Sequence, residues 1–313
     1  MSDMQHNDPN WERQTIEKLA FSAIKEQRRS RMWGILFKSL TFIYLFALLF
    51  IAMDWVGSSS AAKVDHTALI DIQGVIGSGQ EVSADSVISS LQAAFENKRT
   101  KGLILRINSP GGSPVQSGII NDEIKRLRKL HPEVPVYAVV EDVCASGGYY
   151  IAAAADKIYV DKASIIGSIG VLMDGFGFTG TMEKLGVERR LLTAGENKAI
   201  LDPFSPPNER HQEFAQAMLD EVHQQFIDIV REGRGDRLKE TSETFSGLFW
   251  SGETSIKMGL ADELGSSEYV AREVIKQEKI VDFTVREDFA SRFAKRLGAS
   301  FASQISIGGF KLQ

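Results

Sequence analysis

Apolar and polar residues follow two different periods along this chain, and one stretch is apolar on every face. That stretch runs from Trp33 to Met53, WGILFKSLTFIYLFALLFIAM, 21 residues. A helix of that length spans about 31 Å, close to the roughly 30 Å hydrocarbon core of a bilayer. Lys38 interrupts the run near one end, where its stem can lie along lipid while the ammonium reaches the interface. Lys25, Arg28, Arg29 and Arg31 precede it, opposed by Glu26, whereas Asp54 and the small polar run GSSSAA follow it. The excess of positive charge places residues 1–32 in the cytoplasm and the residues after the span outside. A cleaved signal peptide and a buried core helix are the competing readings. The long polar segment ahead of the run argues for a retained anchor, although Ser-Ala-Ala resembles a cleavage site.

Residues 1–31 are polar, with one short amphipathic helix expected over Trp11–Lys25, and residues 57–63 read as a linker. Beyond them, strand-like and helix-like segments alternate. Strands are expected at Ala68–Val75, Gly102–Ile107, Val134–Val140, Ile158–Val160, Ile165–Met173 and Arg189–Leu192. Helices are expected at Ser86–Lys98, Val115–Leu130, Gly147–Ala155 and Asn208–Glu232. In the last of these, Phe214, Met218, Val222 and Phe226 share one stripe. The alternation predicts an α/β domain of βαβ units around a largely parallel, buried sheet. From Arg286 the tail carries Phe289, Phe293, Leu297 and Phe301 at four-residue spacing and reads as an amphipathic helix. The domain layout expected is therefore 1–32 cytoplasmic, 33–56 transmembrane, 57–285 soluble domain and 286–313 tail.

Composition narrows the chemistry. The chain has 313 residues, 43% hydrophobic and 25% charged, as in ordinary globular proteins rather than disordered ones. Its net charge of −5 argues against a nucleic-acid partner bound through a broad basic face. The single cysteine, Cys144, excludes a disulfide framework and a multi-cysteine zinc site, and nothing in the pattern calls for a metal or a cofactor.

Two segments look like more than scaffold. Asn108–Ser113, NSPGGS, closes a buried strand and precedes a helix, the place where parallel α/β sheets bind ligands. Gly111 and Gly112 let the backbone approach a ligand closely, and N–H groups there can donate to an oxyanion. The second segment is Cys144-Ala145-Ser146-Gly147-Gly148. Ser146 lies at a strand–turn–helix junction that can expose its hydroxyl, with the Gly147 N–H as a further oxyanion donor. An ordinary helix cap is the alternative role for Ser146. A serine nucleophile needs a base. None of His6, His66, His131, His211 and His223 sits in a glycine-rich loop, whereas Lys198 lies in the loop AGENKA. Serine–lysine pairs are known variants of the triad.

The ordered set NSPGGS, ASGGYYIAAAAD, IIGSIGV and GENK, followed by the segment from Trp250 to Gly265, resembles the signal peptide peptidase A family of Ser-Lys membrane proteases. The resemblance runs from about Ala68 to about Ile275. It implies a ClpP/crotonase-like spiral of repeated ββα units. It also implies Ser146 as nucleophile, Lys198 as general base, Ser168 as a lysine-orienting residue, and Gly111, Gly112 and Gly147 as the oxyanion hole. The implied substrates are cleaved signal peptides and other short hydrophobic or unfolded chains, and the implied assembly is a homo-octamer whose sites combine residues of neighbouring subunits. The location implied is the bacterial inner membrane, in contact with lipid, with the N-terminus cytoplasmic. A lysine serves as a base near neutrality only after its pKa falls by roughly three units, which desolvation supplies. Lys198 is therefore expected to be buried in the working enzyme, by its own chain or by a neighbour. Two rival functions remain in view: an inactive membrane-bound peptide-binding scaffold, and a crotonase-like acyl-CoA enzyme.

Overall fold

The structure, a computed structural model, describes residues 11–57 and 64–286. Most of the expected linker and the apolar tail lie outside the described residues. Two compact units divide the chain at Ser60/Ala61. The first holds one helix, α1 (Trp11–Gly57), of 47 residues, about 70 Å long. The expected short helix and the expected membrane span are thus a single element, since no proline occurs between Trp11 and Gly57. From Trp33 to Leu49 its large apolar side chains are exposed around the whole circumference. Length and composition suffice for it to cross a membrane.

The second unit begins with β1 (His66–Gln73), α2 (Ala84–Glu96), β2 (Thr100–Ser109), α3 (Pro114–Leu130) and β3 (Val136–Ala145). It continues with α4 (Gly147–Ala152), β4 (Lys157–Val160), β5 (Ile165–Gly167), α5 (Thr179–Leu185) and α6 (Glu209–Arg234). β6 (Phe249–Ser251), α7 (Gly252–Lys257), β7 (Glu263–Leu264), α8 (Ser267–Tyr269) and β8 (Ile280–Asp282) complete it. The sheet order is β6-β5-β3-β2-β1-β8, with β4 joining β3 to β7. Every pairing is parallel except β5 with β6. Helices begin where the sequence supplies caps: Ser83 for α2, Ser113 with Pro114 for α3, and Asn208 for α6.

Side chains alternate between two apolar layers, as strand geometry requires. Ile70 and Ile72 of β1, Leu103 and Leu105 of β2, and Val136 and Ala138 of β3 pack under α2, α3, α4 and α6. Leu69, Ile104, Val139 and Tyr159 point the other way, onto Val270 and Ala271. Short second strands branch from the ends of the central ones. Ile76, just past β1, bridges Gly112, just past β2. The distal half of β3 leaves β4 and pairs with β5 instead. After β1 and β2 the second pairing is a single bridge, and β3 runs directly into α4; the α/β class and preceding apolar helix match expectation.

Two expected strands differ. Arg189–Leu192 forms no strand because no sheet edge receives it. The strand expected over Ile165–Met173 stops at Gly167, where Gly167 (φ 117°) and Ser168 (φ 52°) turn the chain out of the sheet.

A buried ion pair locks α6 onto this framework. Arg234, 1% exposed, donates from both terminal nitrogens to Asp262, each at 2.9 Å, and from Nε to Gly259 O at 2.7 Å. Asp262 also accepts from Ile158 N (2.7 Å) and from Arg237 (3.1 Å). Burial alone would raise the Asp262 pKa; hydrogen bonding and charge attraction from Arg234, with lesser help from the Ile158 N–H and Arg237, outweigh it and hold the carboxyl below its usual value of 3.8. That contribution to stability is present above pH 3.8 and disappears as pH falls through the lower folded value. Arg234→Ala leaves Asp262 buried without its main partner. It is expected to cost roughly 3–5 kcal/mol, measured as a lowered urea midpoint at pH 7.

Candidate active site

Ser146 stands between β3 and α4 with φ 51° and ψ −122°. For a residue with a Cβ this is a strained conformation, maintained only by its surroundings. β3 enters the junction paired to β5, with Ala145 opposite Gly167. Ser146 N donates to Gly167 O (2.8 Å), and its carbonyl accepts from Tyr150 N (3.0 Å), opening the first turn of α4. Although Ser146 occupies the cap position, its side chain makes no capping hydrogen bond. Its hydroxyl is half-buried and uncommitted among the described residues.

The Asn108–Ser113 turn lies directly over this junction. A Cβ on residue 111 would come within 2.7 Å of both Gly147 N and Ser146 Cβ, so only glycine fits. A Cβ on residue 112 would lie 2.0 Å from Ile76 O. Ile76 clamps the turn from outside: its N–H donates to Gly111 O (2.9 Å) and its carbonyl accepts from Ser113 N (2.8 Å). The N–H groups differ in availability. Gly111 N donates to Ser109 Oγ (3.1 Å), which itself donates to Gly74 O (2.6 Å). Gly112 N and Gly147 N donate to no group among the described residues. Both glycines flank Ser146, so two free donors and one free hydroxyl share one spot.

Ser168 follows Gly167 and sits beside the end of β3 that carries Ser146, its N–H held by Leu248 O (2.7 Å). Lys198 is not brought in. It is exposed on a turn whose N–H donates to Gly195 O (3.1 Å), and no hydrogen bond or ion pair among the described residues links it to Ser146 or Ser168. Its own chain therefore does not supply the expected burial. Among the histidines, His223 Nε2 lies 3.1 Å from Ile169 O, next to Ser168, and His211 Nε2 lies 3.3 Å from Asn197 Oδ1, next to Lys198.

Several residues shape the site without any motif to mark them. Ile76, just past β1, looks like an ordinary apolar residue. Ser117 and Asn121 are fully buried on the face of α3 that packs against α4. Their signal was two polar residues within the apolar period of Ile120, Ile124 and Leu127. Cys144 is fully buried, and burial pushes its thiol pKa far above the ordinary range, which removes it as a nucleophile.

Residues 128–281 match the family model described as Peptidase family S49. The chain is 34% identical over 214 residues to the protein MJ0651 of Methanocaldococcus jannaschii, covering 67% of this chain and 68% of that one. It is 32% identical over 228 residues to Protease 4 of Haemophilus influenzae, covering 70% of this chain and 37% of that one. A Na(+)/H(+) antiporter of Brucella melitensis is 47% identical over 184 residues, 59% of this chain and a quarter (25%) of that protein's length.

Two outcomes follow from this geometry. In the native protein at pH 8, Cys144 resists alkylation by iodoacetamide and reacts only in denaturant, as followed by mass spectrometry. Gly112→Ala, whose Cβ meets Ile76 O, is expected to lose roughly 1–3 kcal/mol of stability in urea titration.

Proposed function

We propose that this chain, which belongs to peptidase family S49, is a membrane-anchored serine endopeptidase with Ser146 as nucleophile and Lys198 as general base. The observation that carries the reading is the uncommitted Ser146 hydroxyl, strained into position beside two free N–H donors. Ser146 Oγ attacks the substrate carbonyl carbon while the neutral Lys198 amine takes its proton. The carbonyl oxygen becomes an oxyanion held by Gly112 N–H and Gly147 N–H. Gly111 serves the hole through close backbone approach, since its own N–H is occupied by Ser109. Collapse of the intermediate breaks the peptide C–N bond, and Lys198 returns the proton to the leaving amine. Water then attacks the acyl-serine ester, giving a proton to Lys198, and the ester's collapse restores the Ser146 hydroxyl. Ser168 orients the lysine.

An exposed lysine is a poor base, because water favours its charged form. The segment carrying Lys198 supports a remedy. α5 has no buried residue. Leu172 (80%), Phe176 (78%) and Leu192 (97%) are exposed along the same arm. A helix of seven residues with no buried face has little stability of its own. Neighbouring copies cover this arm, bury Lys198 and present it to a Ser146 of the assembly, and the subunit count that the family resemblance implies is eight. The apolar part of α1 anchors each copy in the bacterial inner membrane, and the positive flank before it keeps the N-terminus cytoplasmic and the catalytic domain outside. An enzyme held there meets cleaved signal peptides and other short hydrophobic chains as they leave the bilayer.

The purified full-length protein in detergent is expected to cleave signal peptides and casein. Ser146→Ala and Lys198→Ala are each expected to lower kcat by on the order of a thousandfold or more. Mixing the two variants is expected to restore part of the activity if sites are shared between copies. Full cleavage by Lys198→Ala overturns the mechanism, and a Ser146 that resists a serine-reactive phosphonate overturns the protease reading.

A further inference from the structure

Ser117 Oγ and Asn121 Oδ1 are buried side-chain atoms without a hydrogen-bond partner among the described residues. Both residues are completely buried, one turn apart on the same face of α3. α3 starts at Pro114 and is capped by Ser113, the residue after Gly112, one of the two free donors. The other donor, Gly147, opens α4, and Ser117 is the side chain that meets it. A Cβ on residue 147 would fall 2.5 Å from Ser117 Oγ and 3.3 Å from Gly112 N. The serine oxygen, the Gly147 backbone and the Gly112 N–H therefore converge on one place.

We propose that Ser117, supported by Asn121, is a positioning residue that sets the separation of the Gly112 and Gly147 N–H groups; this rests on the serine-protease reading above. α4 has six residues and little intrinsic stability, so the direction of its first N–H depends on what it lies against. Asn121 Nδ2 donates to Tyr150 O (2.8 Å) and fastens the far end of α4 to α3. Ser117 Oγ is the spacer at the near end. Space there admits one small atom beyond Cβ. Alanine leaves a void too small for water, cysteine brings a larger sulfur, and threonine or valine adds a second branch. An unpaired hydroxyl in a dry interior lowers stability, so packing alone favours alanine at this position. The serine is explained by the distance it maintains.

The test compares wild type, Ser117→Ala and Ser117→Cys as full-length enzyme in detergent, reading kcat, KM and melting temperature with one signal-peptide substrate. The rate of phosphonate labelling of Ser146 is read alongside. Misplacing a catalytic group by a fraction of an ångström to one ångström costs roughly ten- to a hundredfold in rate. That loss is expected in kcat and in labelling for both variants, with KM within about twofold and, for Ser117→Ala, a melting temperature equal to or above wild type. A wild-type kcat in Ser117→Ala overturns the proposal. A melting temperature lowered by several degrees in Ser117→Ala also overturns it, since the role is then structural. Undiminished cleavage by Ser146→Ala identifies a different failure, that of the protease reading itself, and removes this proposal with it.

Discussion

The backbone of Ser146 is held where a residue with a Cβ does not rest unaided, at φ 51° and ψ −122°. Such strain costs on the order of 1–3 kcal/mol and persists only when the surroundings over-determine it. Here they do. β3 and β5 fix the chain before the serine, Gly167 O takes its N–H, and α4 fixes the chain after it. The NSPGGS turn then closes over the top so tightly that residue 111 has no room for a Cβ against Ser146 and Gly147. A Cβ on residue 148 would approach Ser109 O to 3.1 Å, and one on residue 167 would strike Trp250 at 2.8 Å. The cluster of glycines around the site follows from one demand: several backbones must approach a single strained junction together.

The rest of the domain keeps α4 where that junction needs it. Asn121 of α3 holds the Tyr150 carbonyl. Tyr149, fully buried, donates its hydroxyl to Leu260 O (2.7 Å). Tyr150 packs against Phe226 of α6 at 5.0 Å between ring centroids. Leu260 belongs to the same turn as Gly259 and Asp262, which the buried Arg234 grips. The ion pair at the end of α6 and Ser146 at the start of α4 are therefore parts of one support. Removing Arg234 loosens the floor under the site as well as the core.

The arm bearing Lys198 obeys a different logic. Phe178 stacks on Phe204, Arg189 pairs with Asp202 and lies over the Phe204 ring, and Arg210 and His211 of α6 reach Glu196 (3.0 Å) and Asn197 (3.3 Å) just before Lys198. Beyond that its apolar side chains face outward. A strained serine beside two free donors from separate elements, and a lysine on an arm whose apolar side chains are exposed, make a candidate site whose two halves differ in what they require. The first half is complete within the fold. The second half, with Lys198, is exposed among the described residues.

Much of this was legible in the residue pattern. The largely apolar 21-residue run from Trp33 to Met53 announces the membrane-compatible part of α1, and the period-2 and period-3.6 alternation locates most strands and helices of the sheet domain. Ser146 between a buried strand and a small-residue helix is visible as a candidate because strand–turn–helix junctions expose one side chain. The pattern is silent where a residue's role depends on what lies opposite. Arg189–Leu192 reads as a strand, but a strand exists only where another edge accepts its hydrogen bonds. Phe214 and Met218 share a stripe with Phe226, yet only Phe226 is covered, because the layer beneath α6 does not reach that far. Gly111 and Gly112 are indistinguishable as letters; dihedral angles and the position of Ser109 decide which N–H is free. Ser117 looked like any helical serine until α4 packed against it. Local preference and hydrophobic period are properties of a segment, so a segment displays them alone. Direction, availability and closeness are relations between distant segments, and these come into being only when the chain closes on itself.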